Sequence, residues 1–361
     1  DEGGDLSRWV YLHPAEVFPA SAVRRTGPVL ELAETPRPEL GELPVLTADG
    51  APSTLRERLA AEPIDGFLIL HRGAILYETY PRMERQDRHL VFSVTKAFLG
   101  TLVALLEARG ELDLSSGVER YLPELAGTGW EGIALRDIAD MASGIEGAEE
   151  GCGTAPYLDP AHRHFQLEAS LGWQPRSAEL PAAARSGDTE AFLAALRRVR
   201  PPGERRSYTS ANTAMLGWLL ERVTGRRLAE VLATEIWRRI GAEGEALLLE
   251  NERGVPIAHG GLAMTLRDLA RFGWFLARQE RSLFGSGRPA LLGPGTPPWV
   301  AHASYQWDWI GHAGELVKAG FAGQLLYVDR RRQVVIAHFG TNPTLGSPPA
   351  LLPVREIAAT F

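Results

Sequence analysis

The chain has 361 residues, of which 45% are hydrophobic and 23% charged, and its formal net charge is −7. No apolar run approaches the ~18 residues that span a bilayer, and no surplus of cations is available for phosphates, so we expect neither a membrane-spanning protein nor a nucleic-acid partner. The single cysteine, Cys152, excludes an internal disulfide framework and a thiolate-rich metal site. The first residues lack the basic and apolar regions of a signal peptide, which favours a cytoplasmic protein over an exported one whose signal has been removed.

The positive charges are divided unevenly between the two basic residue types. Of the 38 basic residues only two are lysines, Lys96 and Lys318. An arginine keeps its proton in a protein, whereas a lysine can lose it. In a chain that uses arginine almost everywhere, the two lysines are therefore the first positions to examine for chemistry.

The predicted elements begin behind an N-terminal arm. Residues 1–45 are rich in Pro, Glu and Arg and show weak periodicity, which predicts an irregular arm packed on a larger body. A short helix is predicted at residues 54–61. Two β-prone runs within residues 66–80, separated by Arg72 and Gly73, predict a hairpin.

The middle of the chain is predicted to be helical. Residues 93–109 are apolar on nearly all faces and are followed by Gly110, as expected of a buried helix. Helical patterns recur at residues 135–141, 189–199, 211–223 and 228–239. The segment 144–185 carries Gly, Pro and scattered charge and is predicted to be a long loop, either functional or disordered.

The C-terminal part returns to strands. After a helix at residues 266–277, β-prone runs are predicted at residues 316–319, 324–328 and 333–339, before a closing helix at residues 353–359. Strands towards both termini and helices between them predict an α+β fold: an antiparallel sheet built from both termini, flanked by helices, with a helical insertion. We expect one domain at 46–361, with a sheet part of residues 46–92 and 255–361 and a helical part of residues 93–254.

Ser93 and Lys96 are the strongest candidates for catalysis. Because they stand three positions apart at the start of a helix, their side chains lie on one face and can touch. The helix N-terminus and the apolar surroundings both favour a neutral amine, which lowers the pKa of the lysine towards that of a useful base. A serine beside such an amine is an activated nucleophile. The alternative is that the serine caps the helix and the lysine is solvated.

Further motifs follow this pair in a fixed order. The pair lies in Phe92-Ser-Val-Thr-Lys-Ala-Phe98; Tyr208-Thr-Ser-Ala-Asn212 comes next with Leu-Gly-Trp behind it, and Lys318-Ala-Gly-Phe-Ala-Gly-Gln324 comes last. In this order and spacing the chain, from about residue 45 to its end, resembles the serine hydrolases related to class C β-lactamases and DD-peptidases. Within them it is similar to the 6-aminohexanoate-dimer hydrolase branch. The resemblance implies a β-lactamase/transpeptidase-like fold.

The resemblance also implies roles for residues at matching positions. Ser93 would attack a carbonyl carbon and become acylated. Lys96 and the phenolic oxygen of Tyr208 would pass protons, first from the serine to the leaving group and later from the deacylating water. The backbone amides of Ser93 and Phe321 would form the oxyanion hole.

Two departures from the family pattern bear on these roles. Ser210 and Asn212 fit the simplest alignment of the family's Tyr-x-Asn motif, so Ser210 is an alternative to Tyr208 for the proton relay. Tyr208 is preferred because a phenol, with a reference pKa of ~10, can be tuned to share protons with a lysine. The third motif reads Lys318-Ala-Gly320 where many β-lactamases have Lys-Thr-Gly. The missing hydroxyl removes a donor for a β-lactam carboxylate, so we expect no efficient β-lactamase activity.

Other residues are predicted to support the site or bind substrate. They are Lys318, Gly320, Ser210, Asn212 and Gln324 from the motifs, and Glu150, Asp159, Trp173 and His259 from outside them. The carboxylates of Glu149, Glu150 and Asp159 would favour a substrate that carries an amine, although loop carboxylates are usually only solvated. His162 and His164 have no partner motif, and we expect neither a metal nor a cofactor.

These residues predict a serine hydrolase, an amidase or esterase that forms an acyl-enzyme with a small-molecule amide or ester other than a β-lactam, such as an amino-acyl oligomer. Two alternatives stay open. One is a transacylase with the same Ser-Lys-Tyr site, and the other is a non-catalytic receptor for an acyl ligand. The sequence does not decide between a monomer and a homodimer.

Overall fold

The strands and helices below are those of the computed structural model, which describes residues 4–47, 50–151, 154–279, 282–285, 287–342 and 353–361. Its strands are β1 (Ala20–Val23), β2 (Ala33–Glu34), β3 (Pro44–Leu46), β4 (Pro52–Thr54), β5 (Ile64–His71), β6 (Ala74–Thr79), β7 (His89–Leu90), β8 (Ala246–Leu249), β9 (Leu262–Met264), β10 (Val300–His302), β11 (Trp309–Gly311), β12 (Glu315–Gly320), β13 (Gln324–Asp329) and β14 (Val334–Gly340). Its α-helices are α1 (Asp5–Leu12), α2 (Pro14–Val17), α3 (Leu55–Ala61), α4 (Thr95–Ala108), α5 (Leu135–Ala139), α6 (Ala155–Leu158), α7 (Arg163–Ser170), α8 (Ala182–Ser186), α9 (Thr189–Ala194), α10 (Ser210–Thr224), α11 (Leu228–Leu232), α12 (Arg238–Ile240), α13 (Leu266–Ala277) and α14 (Val354–Ala358).

An eight-stranded sheet forms the frame of the molecule. Its strand order is β10-β11-β12-β13-β14-β5-β6-β2, and all neighbours are antiparallel except β2 and β6 at one edge. The hairpin β5-β6 comes from the N-terminal third and joins the C-terminal strands where β5 pairs with β14. The predicted α+β class, with a sheet built from both termini, is confirmed.

Helices cover both faces of this sheet. Successive residues of β5 point to opposite sides, so Leu68 and Leu70 enter the core shared with α4, α10 and α13, while Phe67 and Ile69 enter a smaller core beneath α3 and α14. Because both faces are covered, β5 and β14 are almost continuously buried. The same pattern of burial explains their uninterrupted apolar runs in the sequence.

Helix α4 occupies the centre of the helical part. Its residues are buried on nearly every side, as its sequence predicts. At Gly100 a Cβ atom would lie 1.7 Å from the Tyr305 carbonyl oxygen, so a glycine is required for the helix to approach that loop. The predicted division of the chain into a sheet part and a helical part stays a prediction.

Two segments are more ordered than their sequences suggest. The segment 144–185, expected to be a loop, contains α6, α7 and α8. The N-terminal arm, expected to be irregular, forms α1 and α2, and its strand β1 pairs with β8. These elements are short, and tertiary contacts hold them: Arg8 of α1, for example, donates to the buried Asp65 at 2.8 Å.

Two remaining expectations concern the single cysteine and membrane-spanning segments. Cys152 lies outside the described residues. In the part of the chain that the structure describes, no helix is both long enough and apolar enough to cross a membrane.

Candidate active site

The start of α4 brings Ser93 and Lys96 into contact. Residues Phe92–Val94 form a 3₁₀ turn that leads into α4. The Lys96 ammonium nitrogen lies 3.0 Å from Ser93 Oγ and donates to the His259 carbonyl oxygen at 2.8 Å. The lysine side chain is fully buried. Burial lowers the pKa of Lys96 to about 7, against the opposing charge of Glu149.

Tyr208 lies close to both lysines of the chain. The Lys96 and Lys318 nitrogens are 5.1 and 5.2 Å from the centre of its ring, and Ser93 is close enough to its hydroxyl to influence its pKa. Burial raises the pKa of Tyr208 well above its usual value, and the charge of Asp308 raises it further. In the resting site this side chain is therefore a neutral phenol.

Ser210, the alternative for the proton relay, is the first residue of α10. Its backbone N–H donates to Glu149 Oε1 at 2.6 Å, and the residue belongs to the wall of the cavity described below. Asn212, two residues further along the helix, is buried and its amide nitrogen contacts the Met141 sulfur at 3.6 Å. It does not belong to the wall of that cavity, and its buried Oδ1 has no hydrogen-bond partner among the described residues.

The edge of β12 approaches the start of α4. A Cβ atom at Gly320 would lie 2.7 Å from the Val91 carbonyl oxygen, so the close approach of the two segments requires a glycine there. Phe321 follows directly, and its ring packs edge-on against Phe92 at 5.4 Å. Gln324 fixes this turn by donating to the Gly340 carbonyl oxygen at 2.7 Å.

Lys318 is buried and does not belong to the wall of the cavity described below. Its ammonium group contacts both carboxylate oxygens of Asp308 at 2.8 Å and the Ala319 carbonyl oxygen at 2.9 Å. The Tyr208 hydroxyl lies 3.5 Å away. The side chain is 1% exposed, so its charge interacts with these protein groups and hardly with solvent.

A cavity of about 480 Å³ opens above Ser93. Its wall is mostly apolar and aromatic, and its phenylalanine, tyrosine and tryptophan residues are Tyr11, Phe18, Phe92, Tyr157, Trp173 and Phe321. Ser93 and Phe321, the two residues expected to supply the oxyanion hole, both line it. An apolar wall with a few polar groups is typical of a small-molecule site.

One side of the cavity carries a chain of acidic and histidine side chains. His259 Nε2 lies 2.6 Å from Glu168 Oε1, and the same oxygen is 3.7 Å from His164 Nε2. The other nitrogen of His164 is 3.4 Å from Glu149 Oε1. Burial lowers the pKa of His259. Burial alone would raise the pKa of Glu168, but its electrostatic and hydrogen-bond interaction with His259, followed by the effects of His164 and Lys96, outweighs burial and lowers that pKa. This side of the cavity therefore holds carboxylate charge with little access to bulk water.

The structure separates the predicted substrate-binding residues into two groups. Trp173 and His259 line the cavity. Glu150 is instead exposed and pairs with Arg206, and the exposed Asp159 accepts from the Ala161 N–H in a turn. Neither acidic residue belongs to the wall of the cavity.

Sequence reasoning missed Glu168, Tyr157 and Asp308. The first two lie in the segment 144–185, whose helices were not predicted, and the third belongs to no motif. Their proximity to Ser93 or Tyr208 depends on contacts between distant parts of the chain. Among the described residues, no group of three or more His, Cys, Asp or Glu side chains could hold a metal ion.

Comparisons with known proteins identify the family of the chain. A protein-family model described as Beta-lactamase matches residues 53–354. The chain belongs to the beta-lactamase family. The 6-aminohexanoate-dimer hydrolase of Paenarthrobacter ureafaciens is 33% identical over 355 residues, which is 93% of this chain and 86% of that protein. The resemblance to this branch is thereby confirmed.

Solved structures of other proteins share the fold. A Bacillus anthracis protein assigned to the 6-aminohexanoate-dimer hydrolases superposes with a TM-score of 0.82 at 26% identity, over 98% of this chain and 92% of that one. A D-stereospecific amidohydrolase from Streptomyces sp. gives a TM-score of 0.58 at 18% identity, over 83% and 94% of the two chains. The second likeness concerns the fold alone.

Proposed function

We propose that this member of the beta-lactamase family is a serine hydrolase that acts through an acyl-enzyme on an amide or ester other than a β-lactam. The observation that carries the proposal is the 3.0 Å contact between Ser93 Oγ and the fully buried Lys96 nitrogen. With its pKa lowered to about 7, Lys96 is partly neutral near neutral pH and can accept the serine proton.

Lys96 and Tyr208 divide the proton transfers between them. Ser93 Oγ attacks the carbonyl carbon while its proton moves to Lys96, and the backbone N–H groups of Ser93 and Phe321 stabilise the oxyanion. The C–N or C–O bond then breaks as the Tyr208 phenol, kept protonated by its raised pKa, donates to the leaving group. Transfer of the Lys96 proton to the phenolate restores both groups.

Deacylation repeats the same steps with water. A water molecule gives a proton to Lys96 as its oxygen attacks the ester carbonyl, and Ser93 recovers a proton when the acid leaves. A transacylase would differ only in the nucleophile that enters at this stage. Ser210 keeps its place as the alternative to Tyr208, and replacing Tyr208 with Phe separates the two.

The acidic side of the cavity indicates what the acyl part carries. The side chains of Glu149 and Glu168 are 8% and 7% exposed, and both line the cavity that contains Ser93. A buried carboxylate is stabilised when a positively charged group lies directly beside it. An acyl chain that ends in an ammonium group supplies one, as in the amino-acyl substrate for which the Paenarthrobacter ureafaciens relative is named.

The test uses the 4-nitrophenyl esters of 6-aminohexanoic acid and hexanoic acid. Intact-mass spectrometry of the wild-type protein is expected to show one acyl adduct, which peptide mapping places on Ser93. The amino ester should acylate the protein about tenfold faster, because it adds a hydrogen bond between charged groups, and a factor of ten corresponds to about 1.4 kcal/mol.

Ser93→Ala and Glu168→Gln are the paired controls. The first should abolish the adduct with both esters, and the second should remove the preference for the amino ester alone. A wild-type protein that forms no adduct would support the receptor alternative. Unchanged hydrolysis by Ser93→Ala would contradict the nucleophile assignment.

A further inference from the structure

A second ionic group lies next to Tyr208 and includes the other lysine of the chain. It consists of Asp308, Lys318 and Arg206, and we call it the Asp308 cluster. The Lys318 nitrogen contacts both Asp308 oxygens at 2.8 Å and the Ala319 carbonyl oxygen at 2.9 Å. Arg206 lies 3.7 Å from Asp308 Oδ1. A buried ammonium is thus held by a carboxylate that is itself only 21% exposed.

Asp308 is joined to three consecutive residues of β12. Its own N–H donates to the Val317 carbonyl oxygen at 3.1 Å, its carboxylate holds the Lys318 ammonium, and Oδ2 accepts from the Ala319 N–H at 2.9 Å. β12 ends one residue later at Gly320, immediately before Phe321. The same carboxylate therefore fixes both the cation and the strand edge.

Three basic side chains lie close to the neutral Tyr208 phenol. Lys96, Lys318 and Arg206 lie 5.1, 5.2 and 5.8 Å from the centre of its ring. The acidic groups that act on it are Asp308 and Glu149, and Tyr157 is a further titratable neighbour. Without Asp308, Lys318 would be a buried cation that has lost its direct counterion.

We propose that Asp308 is a positioning residue that fixes the Lys318 ammonium beside the Tyr208 hydroxyl and ties that cation to the strand edge leading to Phe321. The proposal rests on the role of Tyr208 given above. Burial lowers the pKa of Lys318, and the Asp308 charge and hydrogen bonds act in the opposite direction. Removing the carboxylate therefore makes Lys318 lose its proton at a lower pH.

The composition of the chain allows the titration of Lys318 to be measured directly. Because the sequence contains only two lysines, a protein labelled with ¹³C at lysine Cε gives two side-chain signals, which Lys318→Arg assigns. In Asp308→Asn the Lys318 signal is expected to titrate at least about one pH unit below its wild-type position. Asp308→Glu keeps the charge and should return the titration towards the wild-type value.

The second readout is the pH profile of kcat/KM for a 4-nitrophenyl ester. Its alkaline limb should move to lower pH in Asp308→Asn by about the same amount as the Lys318 signal. Glu150→Gln is the matched control, since Glu150 pairs with the same Arg206 at 3.1 Å but is exposed. It should leave both readouts as in the wild type. Asp308→Ser serves if the Asn variant does not fold.

Two outcomes overturn the proposal. An unchanged Lys318 titration in Asp308→Asn removes its electrostatic basis, and a uniform loss of kcat/KM at every pH indicates a structural role alone. Failure of the proposed function is recognised separately, because a wild-type protein without acylation at Ser93 can still show the shift of the Lys318 signal. In that case the Asp308–Lys318 ion pair is supported, but its proposed effect on proton transfer by Tyr208 is contradicted.

Discussion

At the scale of single residues, the two lysines of the chain are both buried but have different partners. Lys96 contacts the hydroxyl of Ser93 and a backbone carbonyl, so its ammonium form has no direct carboxylate contact among the described residues. Lys318 contacts both oxygens of Asp308. Burial acts on both amines, but only Lys318 has a direct counterion to oppose it. This difference suits one lysine for proton transfer and the other for a fixed charge.

The pH dependence of acylation should report the first of these roles. With a pKa of about 7, Lys96 becomes protonated below that pH and can no longer accept the serine proton. We expect kcat/KM for an ester to fall about tenfold per pH unit below about pH 6.

Substitution of each lysine by arginine should separate the two roles. Lys96→Arg should lower kcat by roughly 10³-fold, whereas Lys318→Arg should impair it less. Stopped-flow release of 4-nitrophenol measures both, and equally mild effects of the two substitutions would contradict the assignment.

At the scale of elements, the N-terminal helix α1 forms part of the cavity wall. Val10 and Tyr11 line the cavity, and the Tyr11 ring packs edge-on against Phe92 at 4.8 Å. Arg8 anchors the helix to the buried Asp65, which also accepts from Thr341. An element that sequence periodicity hardly reveals thus contributes to the shape of the site.

Tyr11→Ala tests the contribution of this helix. Loss of the ring removes apolar contact with the acyl chain, so KM for 4-nitrophenyl hexanoate should rise about tenfold while kcat changes little. Trp9→Ala is the matched control, because Trp9 is an aromatic residue of the same helix but is 43% exposed. Steady-state kinetics of the two variants decide the point. Equal KM values would show that α1 does not shape the acyl pocket.

At the scale of the whole molecule, the sheet contains a buried histidine that links folding to pH. His338 of β14 packs against Phe67, and burial lowers its pKa to about 4. The unfolded chain binds a proton at this residue below about pH 6.5, whereas the folded chain does not. The free energy of unfolding therefore decreases as the pH falls from about 6.5 to about 4.

His338→Phe should weaken this dependence. Between about pH 6.5 and pH 5 the wild type is expected to lose about 2 kcal/mol through His338, and the variant should lack that part of the loss. Thermal unfolding followed by circular dichroism at several pH values measures the effect as a difference in Tm. Parallel Tm curves for the two proteins would show that His338 is not the responsible group.

Much of the fold follows from local patterns in the sequence. The helix predicted at residues 266–277 matches α13, and the predicted hairpin matches β5-β6 with the turn at Arg72 and Gly73. These elements have long apolar runs of clear periodicity. The helices of the segment 144–185 were missed because α6 and α8 are short and α7 is largely polar at its start, so contacts with the rest of the molecule are needed to hold them.

The sequence by itself determined the α+β class, the family resemblance and the pairing of Ser93 with Lys96, because each element and each motif is recognised from residues a few positions apart and their order along the chain does the rest. Only the tertiary structure decided that Glu168 faces the cavity, that Asp308 holds Lys318 and that the N-terminal helix closes one wall. The Lys96 nitrogen bonds a carbonyl oxygen 163 residues away, and His259 meets Glu168 across 91 residues. Such contacts have no local signal, since they arise from the way in which the apolar faces of distant elements pack together.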